Sequence, residues 1–253
     1  MFAYLDTQTE ADHTVDVAFT DRHGGLSGGP FASLNLSSSP GDDPDIVERN
    51  IDHVARAFVG VPADGPAPSV ARMRQVHGAD VHRVVSVDSP AVDGYGPVAD
   101  ALVTPLRDVV LMVRVADCVP VLLADLTAGV VGAVHAGRPG LVAGVVPRAV
   151  DAMRDEGAEV IRAWVGPHVC GACYEVPSTM RADVSAVVPE AYAETSWGTP
   201  SVDVGAGVIA QLRAREVEVI DASRCTREHE DLFSYRRQGP RSGRLAGLVR
   251  LRP

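Results

Sequence analysis

The 253-residue chain has no lysine, few aromatic residues and only four cysteines. All 23 basic residues are arginine, which excludes Schiff-base and lysine-nucleophile chemistry. The net charge of -10 argues against a nucleic-acid partner, because such an interface needs a basic face. Four cysteines are too few for a disulfide framework in a chain of this length, so we expect free thiols.

The sequence also lacks any apolar stretch as long as a membrane span. The segment from Met1 to His13 has neither the basic n-region nor the apolar h-region of an export signal. We therefore expect a cytoplasmic protein with no membrane partner. A hydrophobic content of 46% allows a large core. The stretch 59–69 is rich in Pro, Gly and Ala but is too short for an interdomain linker, which predicts a single domain over residues 1–253.

Three β-branched runs in the middle of the chain, 109–115, 119–124 and 130–135, predict strands separated by short polar breaks. A helix predicted after them contains Pro147, which should kink or shorten it. Long strand runs with a few helices predict an α+β fold rather than a regular series of βαβ units. The remaining predicted strands cover 14–19, 72–77, 81–87, 160–165 and 245–251, and the helices cover 45–58, 141–153, 178–188 and 204–215.

Two histidines and a cysteine stand at the ends of apolar runs: His77, Cys118 and His135. Residues 125–129 include Asp, Thr and Gly and predict a hairpin turn between two of the central strands. Cys118 precedes the first of these strands and His135 ends the second, so the hairpin places them side by side at its open end. His77 ends another predicted strand just before a turn, where side chains commonly project into a site.

Two imidazoles and a thiol are the ligand set of a catalytic zinc site. Such sites keep three protein ligands and one open position, whereas structural zinc usually has four protein ligands. Zinc also accepts mixed nitrogen and sulfur ligands better than oxygen-seeking cations do. Gly78 and Gly137 leave room beside the imidazoles for a ligand. The alternative interpretation, ordinary packing of each residue in the core, remains open on spacing alone.

Nine short motifs carry a resemblance to a known family. Together they resemble, in family order, the YfiH-type proteins, also called laccase-domain or polyphenol-oxidase-like proteins. The resemblance extends over nearly the whole chain and depends on no single motif. The motifs are RHGGLS (22–27), FASLNL (31–36), QVHG (75–78), ADALVT (99–104), ADCVP (116–120), HAG (135–137), GP (166–167), YEV (174–176) and FSYRR (233–237).

The resemblance implies a single domain with four layers, α/β/β/α, and one zinc ion bound by His77, Cys118 and His135. It further implies a purine nucleoside enzyme, which carries out phosphorolysis of adenosine, inosine and methylthioadenosine and hydrolytic deamination of adenosine. Some members are instead credited with editing peptidoglycan precursors. The expected partners are accordingly small molecules, a purine nucleoside and phosphate, with the chain a monomer or a homodimer.

Two features depart from what the family names and motifs suggest. Multicopper oxidation needs about ten histidine ligands, many in His-x-His pairs, but the chain has eight histidines and no such pair. The family also usually reads His-Ala-Gly-Trp-Arg-Gly at the third ligand, where this chain has Arg138 and Pro139 in place of Trp and Arg. Either Arg138 replaces the usual arginine from one residue earlier, or that contact is lost, which bears on phosphorolysis more than on zinc binding.

The mechanism implied by the resemblance assigns further roles. Zinc lowers the pKa of bound water to roughly 7, and the hydroxide would attack C6 of adenosine. Deaminases add a carboxylate proton shuttle, for which Asp117 is the candidate, although a strand neighbour of Cys118 points to the opposite face. In phosphorolysis, the metal or arginines hold phosphate as it attacks the ribose C1′. The guanidinium candidates are Arg22, Arg138 and Arg236, and the candidates for binding substrate or orienting a ligand are Asn35 and Gln75.

Two other hypotheses use the same residues. In one, a metal-free Cys-His hydrolase or deamidase has Cys118 as its nucleophile and His135 as its base. In the other, the chain is a non-enzymatic, zinc-stabilised binding module of a cell-wall or division complex. The Cys-x-x-Cys pair of Cys170 and Cys173 is interpreted as structural, because the sequence contains no complementary pair.

Overall fold

Two β-sheets stacked face to face form the centre of the molecule. The computed structural model describes residues 1–37, 41–86 and 96–252. The first sheet has the strand order β1-β2-β13-β6-β3, and all its neighbours are antiparallel except β3 and β6. Its strands are β1 (Phe2–Glu10), β2 (His13–Thr20), β3 (Ser69–Ala71), β6 (Val109–Val115) and β13 (Leu245–Leu251).

The second sheet has six strands in the order β12-β9-β7-β8-β5-β4. Its two outer pairs are parallel and its central pairs are antiparallel. The strands are β4 (Val81–Arg83), β5 (Ala101–Thr104), β7 (Val119–Asp125), β8 (Val130–Ala136), β9 (Arg162–Val165) and β12 (Glu218–Asp221). A separate small hairpin consists of β10 (Tyr192–Glu194) and β11 (Pro200–Val202).

Helices cover the outer faces of both sheets. The helices are α1 (Pro44–Val59), α2 (Arg138–Ala143), α3 (Val145–Asp155), α4 (Ser178–Val187), α5 (Val204–Arg213) and the one-turn α6 (Tyr235–Gln238). The first packs on the first sheet, α2, α3 and α5 pack on the second, and α4 packs on α2 and the β10–β11 hairpin. Within the described part of the chain, no helix combines the length and apolar character needed to cross a membrane.

The alternation of side chains along the central strands builds three hydrophobic layers. In β7, Val121 and Leu123 face the helices of the second sheet, while Leu122 faces the first sheet. In β6, Leu111 faces the second sheet and Met112 faces α1. Successive strand residues point to opposite faces, and here both faces are buried, which explains why the runs are continuously apolar. The expected α+β fold with four layers, α/β/β/α, is confirmed.

The predicted central strands and their hairpin are also present. Pairing of Val119 with Ala136 and of Pro120 with His135 fixes the register of β7 and β8. The turn is held by the Asp125 carboxylate, which accepts backbone N–H groups of Thr127 and Ala128 at 2.8 Å each. An Asp side chain that bonds its own turn in this way makes the hairpin a local structure.

One predicted strand is wrong, one predicted helix is divided in two, and one predicted strand extends beyond the described residues. The stretch 72–77 is not a strand; β3 ends at Ala71, and beyond it only Arg74 makes a bridge, to Val98. The helix predicted at 141–153 is two helices, broken at Gly144, whose φ of 79° is left-handed. Pro147 lies in the first turn of α3, where a backbone N–H has no helical partner to lose. The strand predicted at 81–87 ends at Arg83, and Val87 lies outside the described residues.

Candidate functional site

His77, Cys118 and His135 meet at one end of the sheet sandwich. The Cys118 Sγ lies 3.6 Å from the His77 Nε2, and one ligand atom from each of the three residues lies within 4.8 Å of the others. The two imidazole rings are 4.7 Å apart between centroids and inclined at 73°. Three nitrogen and sulfur donors therefore converge on one point.

The β7–β8 hairpin positions two of these ligands. Cys118 immediately precedes β7, and His135 pairs with Pro120 near the end of β8. His135 follows the face of β8 that carries Val131 and Ala133 and points between the sheets. The site therefore opens at the edge where the two sheets meet.

The Asp100 carboxylate positions two of the three candidate ligands, His77 and His135. Its carboxylate accepts the backbone N–H groups of Val76, His77 and Gly78 at 3.2, 2.9 and 2.6 Å, which stabilises the left-handed conformation of His77, with φ of 61°. The same carboxylate bonds the His135 Nδ1 at 2.8 Å. Burial opposes its charge, but the hydrogen bonds from His135 and the Gly78 backbone N–H outweigh burial and lower the pKa of Asp100.

Asp117 supports Cys118 from the other side. It has a left-handed φ of 84°, and its two carboxylate oxygens accept the Thr226 hydroxyl and the Arg236 backbone N–H, each at 2.6 Å. Residues held in uncommon backbone conformations concentrate at functional sites, where surrounding contacts hold them. Asp117 thus anchors the Cys118 loop, and both its oxygens are already hydrogen-bonded.

Gly137 is needed for the close approach of the ligands. A Cβ atom there would lie 2.5 Å from the His77 Cδ2 and 3.1 Å from the Cys118 Sγ. The space beside the imidazoles at Gly137 is therefore occupied by the His77 ring itself.

The half-buried Cys118 thiol and the buried His135 imidazole shift each other's pKa in opposite directions. Burial opposes ionisation of Cys118, but the neighbouring His135 and His77 outweigh burial and lower the pKa of the thiol to about 6. Burial likewise opposes protonation of His135, yet Cys118 and Asp100 raise the pKa of the imidazole to about 9. A thiolate at neutral pH is the form that binds a metal and also the form that acts as a nucleophile.

The cluster opens into a pocket of about 770 Å³, within the usual range for a small-molecule site. Among the described residues that line it, Asp117 is the one carboxylate. Apolar surface comes mainly from Val115, Val169 and Val204, with Tyr235 beside them. Five arginines also line the wall: Arg74, Arg114, Arg138, Arg236 and Arg244. The pocket is therefore cationic in a chain whose net charge is -10.

Besides the three metal-ligand candidates and Asp117, three more of the proposed substrate-binding or catalytic side chains line this pocket. Gln75 exchanges two hydrogen bonds with the backbone of Arg114, at 2.7 and 2.9 Å. Arg236 stacks over the Tyr174 ring at 4.5 Å. Arg138 lies in the wall at the start of α2, next to the ligand-bearing strand.

Arg22 and Asn35 lie elsewhere. The Arg22 guanidinium donates to the Ala32 carbonyl at 2.8 Å and stacks on Phe233, outside the pocket lining. Asn35 is fully buried, and its amide oxygen accepts the backbone N–H of Arg244 at 2.9 Å. It therefore helps to position a pocket residue without lining the pocket.

Sequence reasoning missed Asp100 and three of the arginines as site residues. Asp100 lies in the family motif ADALVT (99–104), but nothing in that motif marks its carboxylate as a site residue. Arg114 offered a clearer signal, because a charged side chain interrupts an apolar strand; it is 8% exposed and donates to the Met73 carbonyl at 2.9 Å. Buried charges are rarely found without a partner or a role.

The donor set fits zinc. Two imidazoles and a thiolate are typical protein ligands of a catalytic zinc ion, and a carboxylate that bonds the second nitrogen of a ligating histidine is the usual outer partner. Asp100 fills that position for His135. The cluster therefore combines the ligands and the supporting carboxylate that such a centre requires.

Comparison with known proteins defines the family. A model described as multi-copper polyphenol oxidoreductase laccase matches residues 16–252. A Streptomyces coelicolor relative named purine nucleoside phosphorylase is 54% identical, covering 91% of this chain and 93% of its own length. A Corynebacterium glutamicum relative of the same name is 43% identical, covering 97% and 98%. The chain belongs to this laccase-like, YfiH-type family.

Solved structures agree with this assignment. The crystal structure of YlmD from Geobacillus stearothermophilus matches with a TM-score of 0.83 and 29% identity, covering 98% of this chain and 99% of that one. The Neisseria meningitidis protein NMB0706 matches with a TM-score of 0.81 and 31% identity over the same shares. The four-layer architecture is therefore that of the family.

Proposed function

We propose that the protein is a zinc-dependent purine nucleoside phosphorylase. The observation that carries this proposal is a His-Cys-His centre at the end of a pocket lined by five arginines. The names of the similar Streptomyces and Corynebacterium proteins support the same substrate class. The substrates we expect are adenosine, inosine or methylthioadenosine, together with phosphate.

In this reaction a phosphate oxygen forms a bond to the ribose C1′ while the bond from C1′ to the purine nitrogen breaks. The products are a ribose 1-phosphate and the free base, which takes up a proton. Zinc held by His77, Cys118 and His135 supplies Lewis acidity at the end of the pocket.

The arginines hold and orient the phosphate. Guanidinium groups bind phosphate through charge-assisted, often bidentate hydrogen bonds, and they remain charged at any physiological pH. Arg138 and Arg236 line the same pocket as the cluster. In this proposal Arg138 replaces the arginine that the family usually carries one residue later. The apolar wall and Tyr235 accommodate the purine.

Hydrolytic deamination of adenosine has weaker support. It needs a carboxylate that moves protons between water and the base, and Asp117 is the one carboxylate in the described lining. Both oxygens of Asp117 already accept short hydrogen bonds. We therefore expect phosphorolysis to exceed deamination.

Incubation of zinc-loaded protein with adenosine, with and without phosphate, tests the proposal. Adenine that forms only with phosphate supports phosphorolysis, and inosine identifies deamination. If neither product forms while zinc is bound, the protein is a binding module or acts on another substrate, such as a peptidoglycan precursor.

The metal-free Cys-His hypothesis is tested separately. Metal-free protein that keeps its activity, and loses it to iodoacetamide, would establish Cys118 as a nucleophile. Activity that disappears on chelation and returns with zinc excludes that role.

A further inference from the structure

Two loops beside the pocket bring together a second group of metal-ligating side chains. Cys170 and Cys173 come from the loop after β9, and Cys225 and Glu228 come from the loop after β12. One ligand atom from each of the four residues lies within 4.8 Å of the others. The Cys173 Sγ lies 3.4 Å from the Glu228 Oε1. The sequence has no second cysteine pair, but the fold places Cys225 and Glu228 beside Cys170 and Cys173.

The two halves of this cluster have the same backbone turn. The N–H groups of Cys173 and Tyr174 both donate to the Cys170 carbonyl at 3.0 Å. In the other loop, the N–H groups of Glu228 and His229 donate to the Cys225 carbonyl at 3.2 and 3.1 Å. Each turn presents its first and fourth side chains toward the other, so the four donors face one centre.

We propose that Cys170, Cys173, Cys225 and Glu228 bind a second, structural zinc ion. Sulfur donors with one carboxylate suit zinc rather than magnesium or calcium, which prefer oxygen ligands alone. Four ligands at about 2.3 Å from a zinc ion lie about 3.8 Å from each other. The observed separations lie around this value, at 3.4 Å between the Cys173 Sγ and the Glu228 Oε1 and at most 4.8 Å for the other pairs.

This ion would join two loops that support the first metal centre. Tyr174, directly after Cys173, lines the pocket and carries Arg236 on its ring. Thr226, directly after Cys225, donates its hydroxyl to Asp117 at 2.6 Å. A metal crosslink between the loops thus fixes residues on both sides of Asp117, which anchors the Cys118 loop.

Metal analysis of the purified full chain is the first test. We expect two zinc ions per chain in the wild type and one in each of Cys225→Ser and His77→Ala. A wild type with one zinc ion, in which Cys225→Ser loses none, overturns the proposal. A disulfide between cluster cysteines in freshly purified wild type, seen as missing free thiols in the denatured protein, overturns it as well.

Cobalt substitution identifies the ligands without relying on a cysteine variant that fails to fold. In His77→Ala, the remaining cobalt should give a sulfur-to-metal charge-transfer band about three times as strong as the band that the variant loses relative to the wild type, because three thiolates bind the remaining ion and one binds the lost ion. A band of one-thiolate strength, or none, contradicts the assignment.

Glu228→Gln and Glu230→Gln form a matched pair, because both carboxylates are exposed and only Glu228 belongs to the cluster. We expect Glu228→Gln to lose its second zinc at a chelator concentration at which Glu230→Gln keeps it. Equal retention would remove Glu228 from the ligand set. This test is independent of the proposed phosphorylase activity, because its readout is bound metal.

Discussion

The two clusters of metal-ligating residues differ in ligand number and in what holds them. The pocket cluster has three nitrogen and sulfur donors and is organised by the buried Asp100. The second cluster has four donors and is organised by two matching backbone turns. A centre with three protein ligands leaves one position for a substrate, and one with four does not.

In the two proposals above, this difference assigns different work to the two zinc ions. The pocket centre faces a wall of arginines and a cavity of about 770 Å³, so its fourth position is available to an anionic ligand. The second cluster lies between the loops that carry Tyr174 and Thr226, so its proposed ion would hold these two loops together. The pocket centre is therefore proposed as a site of chemistry, and the second centre as a crosslink between two loops.

The variant His77→Ala tests whether the two centres have different roles, and it has the largest expected effect. We expect phosphorolysis to fall at least about 1000-fold, because metal assistance contributes several kcal/mol to transition-state stabilisation. The second zinc should stay bound. Adenine release and metal content are the measurements, and His53→Ala, on the exposed surface of α1, is the control. Full activity in His77→Ala would contradict a metal role for the pocket centre.

Asp100→Asn tests how the pocket centre is held. We expect zinc affinity or activity to fall about 10–100-fold, as is typical when the outer partner of a ligating histidine is lost. Excess zinc should restore part of the activity, and the second centre should be unaffected. A zinc competition titration measures the effect. Asp80→Asn is the matched control, because Asp80 is exposed. Equal affinities in the two variants would show that the carboxylate does not support the centre.

The variant Arg138→Gln tests whether the pocket binds phosphate. We expect the KM for phosphate to rise about tenfold with little change in that for the nucleoside, since a charge-assisted hydrogen bond contributes roughly 1.5–3 kcal/mol. Initial rates at varied phosphate measure it, with the exposed Arg148→Gln in α3 as the control. A change confined to the nucleoside KM would place phosphate elsewhere.

Asp16→Asn tests an ion-pair cluster that stabilises the fold without contacting either metal centre. Asp16 pairs with Arg250 and Arg252, at the end of β13 remote from the pocket. Burial opposes its charge, but the hydrogen bonds from Arg252 and Arg250 outweigh burial and lower the pKa of Asp16 below 3.8. Because the pKa of Asp16 is lower in the folded protein than in the unfolded chain, its ionisation adds to the free energy of unfolding above pH 3.8. This contribution is lost as the pH falls through the pKa of Asp16 in the folded protein.

We therefore expect Asp16→Asn to reduce the free energy of unfolding by about 1–2 kcal/mol at pH 7 and to approach the wild type in stronger acid. Denaturant titrations at several pH values measure this, and both zinc ions should remain bound at pH 7. A destabilisation that does not depend on pH would contradict the ion-pair explanation.

Local patterns were sufficient to predict the hairpin and its two ligands. The register of β7 and β8 follows from a short turn held by Asp125, so Cys118 and His135 are brought together by neighbouring residues alone. The strand predicted before His77 failed for a non-local reason. The Asp100 carboxylate takes the backbone N–H groups of three successive residues there, and no strand partner can use them.

The sequence by itself determined the buried strands, the four-layer fold through its family resemblance, and His77, Cys118 and His135 as candidate ligands that the fold brings together. Only the tertiary structure revealed Asp100 as their support, the arginine wall, and the pairing of Cys170 and Cys173 with Cys225 and Glu228. The reason is physical. Hairpins and apolar runs follow from neighbouring residues, whereas these groups come from loops and strands far apart in the chain. They meet only when distant strands pair, as β5 does with β8 and β9 with β12, or when the sheets pack.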